Sequence, residues 1–323
     1  RPILEYASPV IIFNKTHMKK LEQLQLKILK QTVGLKDNTK NETVRIICGI
    51  EPISARFAFL KLKQHYRILL KPKTSIVRTI FNKIKQQKSR PGFLAECEGL
   101  CGDFGIPISR VAPADRGDPQ PLSEFGDELK EQLYRTSFQR DLARVMESRQ
   151  ASTLASLFPP NTSYFSYKPL DLMTRVLNGQ DRKVRSSFLQ NLCGTSNLAS
   201  HFRKNCHFCG SKFEGLAHYI FDCPLILEER EKFINNISAY LSKTNPKLSQ
   251  FWSSNLEGKN RYNICTILFG GNFVASADGE PVLFRKSRSK PHHTDNIALK
   301  TAKYLAQLEL MAEIMADLGS NSS

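Results

Sequence analysis

KTHMKKLEQLQLKILKQTVG, residues 15–34, is the stretch that decides the fold class. At about 100° per residue, Met18, Leu21, Leu24, Leu26, Ile28, Leu29 and Val33 share one broad face, while Lys19, Lys20, Lys27 and Lys30 gather on the opposite side. That pattern predicts an amphipathic helix, and Gly34 suits its end because glycine tolerates the left-handed backbone that closes a helix.

Outward from this stretch the helical signals continue. Thr39 with Glu42 has the spacing of a capping box and starts a short helix through Cys48, which Gly49 and Pro52 end. Ala55, Phe57, Leu60, Leu62 and Tyr66 predict another helix, studded with Arg56, Lys61, Lys63 and Arg67. A further basic helix is expected over Thr74 to Gln87. Residues 102–123 carry Gly102, Gly105, Pro107, Pro113, Gly117, Pro119 and Pro121, which break helix and strand patterns alike. Helical character returns at 124–148, around 170–193, at 225–242 and from Ile297 to Leu318, and the best strand signal is Phe273 to Leu283. The expected fold is mainly α. Its segments are a basic helical region at 1–90, a Pro/Gly-containing linker region at 91–123, a helical region at 124–243, and a tail at 244–323 ending in an amphipathic helix.

A chain of 323 residues has room for two modest domains. With 41% hydrophobic and 24% charged residues it has ordinary globular composition, and no apolar run approaches the roughly 20 residues of a membrane span. Arg1-Pro2-Ile3-Leu4-Glu5-Tyr6 has neither an initiating methionine nor the layout of a signal peptide, so a piece of a longer intracellular polypeptide is expected. The formal charge of +17 and pI near 9.6 point to a polyanionic partner, because clustered cations gain affinity by displacing counterions from phosphates. Residues 1–90 hold 20 Lys and Arg against 5 Asp and Glu, residues 91–150 hold 7 against 11, and the remainder is +6. The basic footprint therefore lies at the front.

Eight scattered cysteines do not make the disulfide lattice of a small secreted domain and fit a reducing compartment. Three of them fall in Cys206-His207-Phe208-Cys209, His218, Cys223, the pattern C-x2-C-x8-H-x4-C. A two-residue gap lets a tight turn aim two thiolates at one Zn²⁺, and the four-residue gap between His218 and Cys223 suits a helical turn covered by Tyr219, Ile220 and Phe221. Three sulfurs and one imidazole leave no position for water, so the metal is expected to be structural. His207, inside the first pair, competes with His218 as the nitrogen ligand, and buried thiols beside a surface histidine are the plainer alternative.

Two stretches resemble the tail of reverse transcriptases from non-long-terminal-repeat retrotransposons. The first is Arg1-Pro2-Ile3-Leu4-Glu5-Tyr6-Ala7-Ser8-Pro9-Val10, then Leu21-Glu22-Gln23-Leu24-Gln25-Leu26-Lys27, Gly34, and Gly49-Ile50-Glu51-Pro52-Ile53. It looks like the family's stretch immediately after the polymerase palm. The second is Cys206 to Pro224 followed by Glu228-Glu229-Arg230, which looks like the family's late zinc knuckle with its H-x4-C-P ending. Residues 91–165 and 245–323 match nothing in the family. The resemblance implies that the first stretch is the thumb, which holds the primer-template duplex, and that the knuckle helps bind element RNA or target DNA during target-primed reverse transcription. Localisation would then be nuclear with a cytoplasmic phase. The basic residues Lys19, Lys20, Lys27, Lys30, Arg56, Lys61, Lys63 and Arg67 are the candidate phosphate contacts, since cations on helical faces track a backbone without reading bases; a merely solvated basic face is the alternative.

A polymerase of this type holds two Mg²⁺ on paired aspartates. No two aspartates are adjacent in this chain. By the resemblance, catalysis and Mg²⁺ belong to a domain upstream of Arg1: the segment itself is expected to be non-catalytic and its parent an RNA-directed DNA polymerase. No Gly-rich phosphate loop, G-x-S-x-G elbow or H-E-x-x-H helix occurs. Asp278 and Glu280 before Arg285 and Lys286 read as a surface loop rather than a nuclease, Cys97 and Cys101, four apart on an expected helix, as buried thiols, His292-His293 as a solvated loop, and Arg285 to Lys290 as a weak nuclear-targeting run. A zinc-stabilised protein-interaction module, domesticated from such an element, is the alternative function.

Overall fold

Helix α1 spans Lys15–Val33 and ends where Gly34 turns at φ 79°, with the Leu35 amide donating back to the Lys30 carbonyl. The computed structural model describes residues 9, 11, 13–86, 92–107, 111, 120–148, 150–155, 157–158, 167, 177–196, 198, 205–211, 216–258, 260–269, 273–275, 281–283 and 293–320. The remaining helices are α2 (Asn41–Cys48), α3 (Ile53–Leu69), α4 (Ile76–Gln86), α5 (Phe93–Asp103), α6 (Leu122–Met146), α7 (Ser152–Ala155), α8 (Arg182–Leu192), α9 (Leu227–Thr244), α10 (Pro246–Glu257), α11 (Arg261–Leu268) and α12 (His293–Ser320). Among the described residues the only sheet is an antiparallel pair, β1 (Phe273–Ala275) and β2 (Pro281–Leu283), with Val274 opposite Val282. The protein is mainly α. No helix among the described residues is long and apolar enough to cross a membrane.

Contacts divide the chain into two units. The first comprises Arg1–Leu26, Gly49–Asp141 and Tyr164–Lys168; the second comprises Lys27–Cys48, Leu142–Ser163 and Pro169–Ser323. In the first unit, α3 packs against α4 and α5. Its core gathers Ala58, Leu62 and Tyr66 with Cys97 and Cys101 of α5 and Phe125, Leu129 and Leu133 of α6. The last three recur every four residues and so form one stripe along α6. Tyr66 stacks on Phe125 at 3.8 Å, and its hydroxyl donates to the Gln120 carbonyl at 2.8 Å, so the one polar atom of a fully buried ring is satisfied. Part of the segment read as a linker is therefore core: Leu94, Cys97 and Cys101 fall on one face of a true helix despite Gly99 and Gly102.

In the second unit, α8 runs against α12, α9 contacts both α10 and α12, and α11 contacts α10 and α12. Phe233 stacks on Tyr304 at 4.1 Å, and buried Trp252 donates its indole N–H to the Ser238 hydroxyl. Asp181, Asn245 and Asn260 each cap a helix by accepting a backbone N–H two or three residues on. Helices α10 and α11 were not anticipated, although Asn245-Pro246 is a cap followed by a proline at the first helical position. Within the expected strand from Phe273 to Leu283, the described residues form two short antiparallel strands, Phe273–Ala275 and Pro281–Leu283. Thr39 does not cap α2; its hydroxyl bonds Thr195 at 3.4 Å. Leu170, Leu172, Met173 and Val176, in the stretch expected to be helical, lie outside the described residues.

The apolar arc of α1 is narrower than its sequence suggests. Leu26 is buried, whereas Leu24 and Ile28 are more than half exposed. The covered arc is centred near Leu26 and takes in Lys30, whose ammonium donates to the Asp37 carbonyl at 2.7 Å.

Candidate metal centre

The centre is built from two short pieces of the second unit. In the first, the Gly210 amide donates to the Cys206 carbonyl and the Cys206 amide to the Ser211 carbonyl, closing a turn that puts the two cysteines on one side. Gly210 sits at φ 68°, a conformation that costs a non-glycine residue about 1–2 kcal/mol. In the second piece, His218–Asp222 forms a π-helical turn in which the Cys223 amide donates to the His218 carbonyl at 2.7 Å. Five residues along an α-helix leave side chains about 140° apart. The wider π turn brings His218 and Cys223 onto one face, a distortion frequent at functional sites.

One ligand atom from each of Cys206, Cys209, His218 and Cys223 lies within 4.8 Å of every other. The Cys206 and Cys223 sulfurs are 3.8 Å apart, and the Cys209 sulfur is 3.4 Å from His218 Nε2. Tetrahedral ligands about 2.3 Å (sulfur) and about 2.0 Å (nitrogen) from one ion are separated by about 3.8 Å and about 3.5 Å respectively. The four side chains therefore form a set that can hold one metal ion. Cys206, His218 and Cys223 are buried and Cys209 is half-buried. His218, not His207, belongs to the cluster.

Protein groups already brace the sulfurs. The Ser211 hydroxyl lies 2.7 Å from the Cys209 sulfur, the Phe208 amide donates to the Cys206 sulfur at 3.3 Å, and Arg230 of α9 donates to the Cys223 carbonyl at 2.9 Å. The Ser211 hydroxyl and amide pull the Cys209 thiol down to about 6, whereas burial pushes the Cys223 thiol up to about 12. One sulfur is thus ready as thiolate and one needs an ion to release its proton. Phe208 meets Tyr219 edge-on at 5.7 Å, and of the three residues expected to cover this turn Tyr219 and Ile220 are buried while Phe221 is half-buried. Sequence reasoning gave Ser211 no role and named Arg230 only within the family-like stretch Glu228-Glu229-Arg230, not as a group that holds the Cys223 backbone. Ser211 follows the Gly210 turn directly and could have been suspected; no spacing rule points to Arg230.

The candidate phosphate contacts divide by exposure. Lys19, Lys20, Lys27 and Arg67 are exposed. Arg56 and Lys63 are half-buried, both over the Phe59 ring, and Arg56 also donates to the Tyr134 hydroxyl at 3.3 Å. Lys61 and Lys30 are interior groups. Lys61, 2% exposed, pairs with Glu96 and donates to the Ile11 carbonyl at 2.7 Å; Lys30 is tied to Asp37 as above. Their α-helical spacing matched that of the surface cations, but their ends are spent on the fold. Asp278, Glu280, His292 and the run Arg285 to Lys290 lie outside the described residues. Cys97 and Cys101 are buried thiols in the α5 core.

Comparison with protein-family models, curated proteins and solved structures finds no match.

Proposed function

We propose that this chain is the nucleic-acid-binding part of a retrotransposon-type reverse transcriptase, downstream of the polymerase active site and stabilised by one structural zinc. The observation that carries the reading is the Cys206, Cys209, His218, Cys223 set, which gathers the three sulfurs and one nitrogen of the knuckle-like motif into one cluster. Zinc suits three soft thiolates and an imidazole, and with four protein ligands it has no open position for catalysis, so it would cross-link the two pieces of chain that carry them. Mg²⁺ chemistry belongs to the polymerase domain that the resemblance places upstream.

The exposed cations Lys19, Lys20, Lys27 and Arg67 supply the phosphate-tracking surface. Lys20 and Lys27 fall within about 20° of each other around α1 and about 10 Å apart along it, so one backbone can meet both. Such contacts give affinity without base selectivity, as a thumb that must slide along primer-template requires. Fluorescence anisotropy with RNA and duplex DNA at two salt concentrations tests this. Tight binding that weakens steeply with salt is expected; absent binding at low salt, or affinity indifferent to salt, contradicts it.

A second reading has an observation of its own. Helix α4 leaves Ile76, Val77, Ile80 and Ile84 each about half exposed or more, the stripe of a helix that meets another protein. On that reading the chain is a zinc-stabilised protein-interaction module, and the same titration, finding no nucleic-acid affinity, favours it.

A further inference from the structure

Below α4 in the first unit lies a cavity of about 90 Å³, walled by α3, α4 and α5. Its most unusual occupant is Arg78. The side chain is 9% exposed, rests over the Phe81 ring at 6.0 Å, and leaves Nε and Nη1 with no hydrogen-bond partner among the described residues. A guanidinium is always charged, and holding one away from water with donors unfilled costs several kcal/mol. Lys85 and Asn82 line the same cavity from α4, and Glu98 lines it from α5. The fixed charges on the wall therefore sum to one positive.

His65 lines the same cavity; it is 7% exposed, and its Nδ1 also has no partner. Its ring is bonded to the Val111 backbone, and burial, then the charges of Lys85 and Arg78, push its pKa down to about 4. At neutral pH it is uncharged and offers a lone pair at Nδ1. The cavity thus presents several donors with net positive charge and one acceptor.

We propose that this cavity binds a singly protonated tetrahedral oxyanion, the phosphoryl group of a phosphomonoester or of inorganic phosphate. Its unprotonated oxygens accept from Arg78, Lys85 and Asn82, and its P–OH donates to His65 Nδ1. Sulfate and carboxylate take up a proton only well below neutral pH and leave Nδ1 unpaired, whereas a phosphomonoester, with its second pKa about 6, gains that proton at little cost, so the pocket selects phosphate over both. The volume is several times what one water needs and suits a terminal group rather than a continuous strand. The pocket is separate from the zinc centre and does not depend on the basic surface of α1.

Isothermal titration of the full chain with inorganic phosphate, then with sulfate, tests the proposal. One saturable phosphate site is expected, with sulfate at least tenfold weaker. Arg78→Gln should weaken phosphate at least tenfold, and Lys85→Ala, at an exposed position that leaves the core untouched, severalfold. Competition then assigns the source. Displacement by a 5′-phosphorylated oligonucleotide but not by its 5′-hydroxyl counterpart marks a nucleic-acid end as the ligand, and displacement by neither marks free phosphate. Absence of saturable phosphate binding, binding indifferent to both substitutions, or equal displacement by both oligonucleotides overturns it.

Discussion

The sulfur atoms of Cys206 and Cys223, 17 residues apart in sequence, lie 3.8 Å from each other. That separation is what one tetrahedral ion imposes on two thiolates. Without an ion, gathering three thiols and an imidazole gains little beyond weak hydrogen bonds.

The tight approach of α8 to the end of α1 depends on a missing side chain. A Cβ on Gly34 would fall 2.8 Å from both Cβ and Oγ of Ser186, and the backbone there is at φ 79°. The Gly34 carbonyl also accepts from Ser186 Oγ and Gln190 Nε2. Gly34→Ala should therefore cost about 2–3 kcal/mol, from the left-handed backbone plus the displacement of Ser186. Urea unfolding would show a lowered midpoint; an unchanged midpoint would mean that α8 does not approach so closely.

Lys61 and the exposed lysines should behave oppositely. Lys61→Ala removes the partner of Glu96 and opens a core position, with an expected loss of about 2–4 kcal/mol. Joint replacement of Lys19, Lys20, Lys27 and Arg67 by alanine should leave stability within about 1 kcal/mol, because surface changes cost little. It should reduce the slope of log affinity against log salt by up to about 3–4 in duplex DNA binding. Thermal melts and salt titrations of the two proteins check both halves, and a slope unaffected by the quadruple change would remove α1 and α3 from the interface.

His65 gives the fold a defined acid sensitivity. Its folded pKa, pushed down to about 4 mainly by burial, lies below the unfolded value of about 6.5. Between those values the unfolded chain binds the extra proton, so stability is full above pH 6.5 and is lost as pH falls towards 4. The loss from this group is on the order of 3 kcal/mol. His65→Gln should flatten the dependence, and comparing it with wild type cancels the common contribution of the metal site. Parallel pH profiles in the two proteins would show that His65 is not held neutral.

Much of this molecule could be read from its sequence, and the failures have physical causes. Helix α1 was visible because seven apolar positions recur on one arc, but periodicity does not say how much of the arc a neighbour covers, so Leu24 and Ile28 were placed inward and stand exposed. The same limit put Lys30 and Lys61 among the surface cations; long aliphatic stems can follow apolar surface inward when a carbonyl or carboxylate waits at the end. The four-residue spacing of Cys97 and Cys101 marks a helix, but Gly99 and Gly102 hide the extent of α5 and its place in the core, so the segment reads as linker. The Cys206, Cys209, His218, Cys223 cluster was legible because metal-ligand chemistry fixes such spacing, and the π-helical turn that joins His218 to Cys223 was legible only as a turn. The pocket of Arg78 and His65 had no sequence signal, since its polar atoms come from separate helices and matter only through what they lack.

The cluster of Cys206, Cys209, His218 and Cys223 is the most direct point of test. Native mass spectrometry of protein purified without added metal should find one zinc per chain. Cys223→Ser should lose that zinc, and with it the fold of the knuckle, since a structural site contributes roughly 10–16 kcal/mol of apparent binding energy at pH 7. Less than half an equivalent of zinc in a folded chain, or a fold unchanged by strong chelation, would contradict the account.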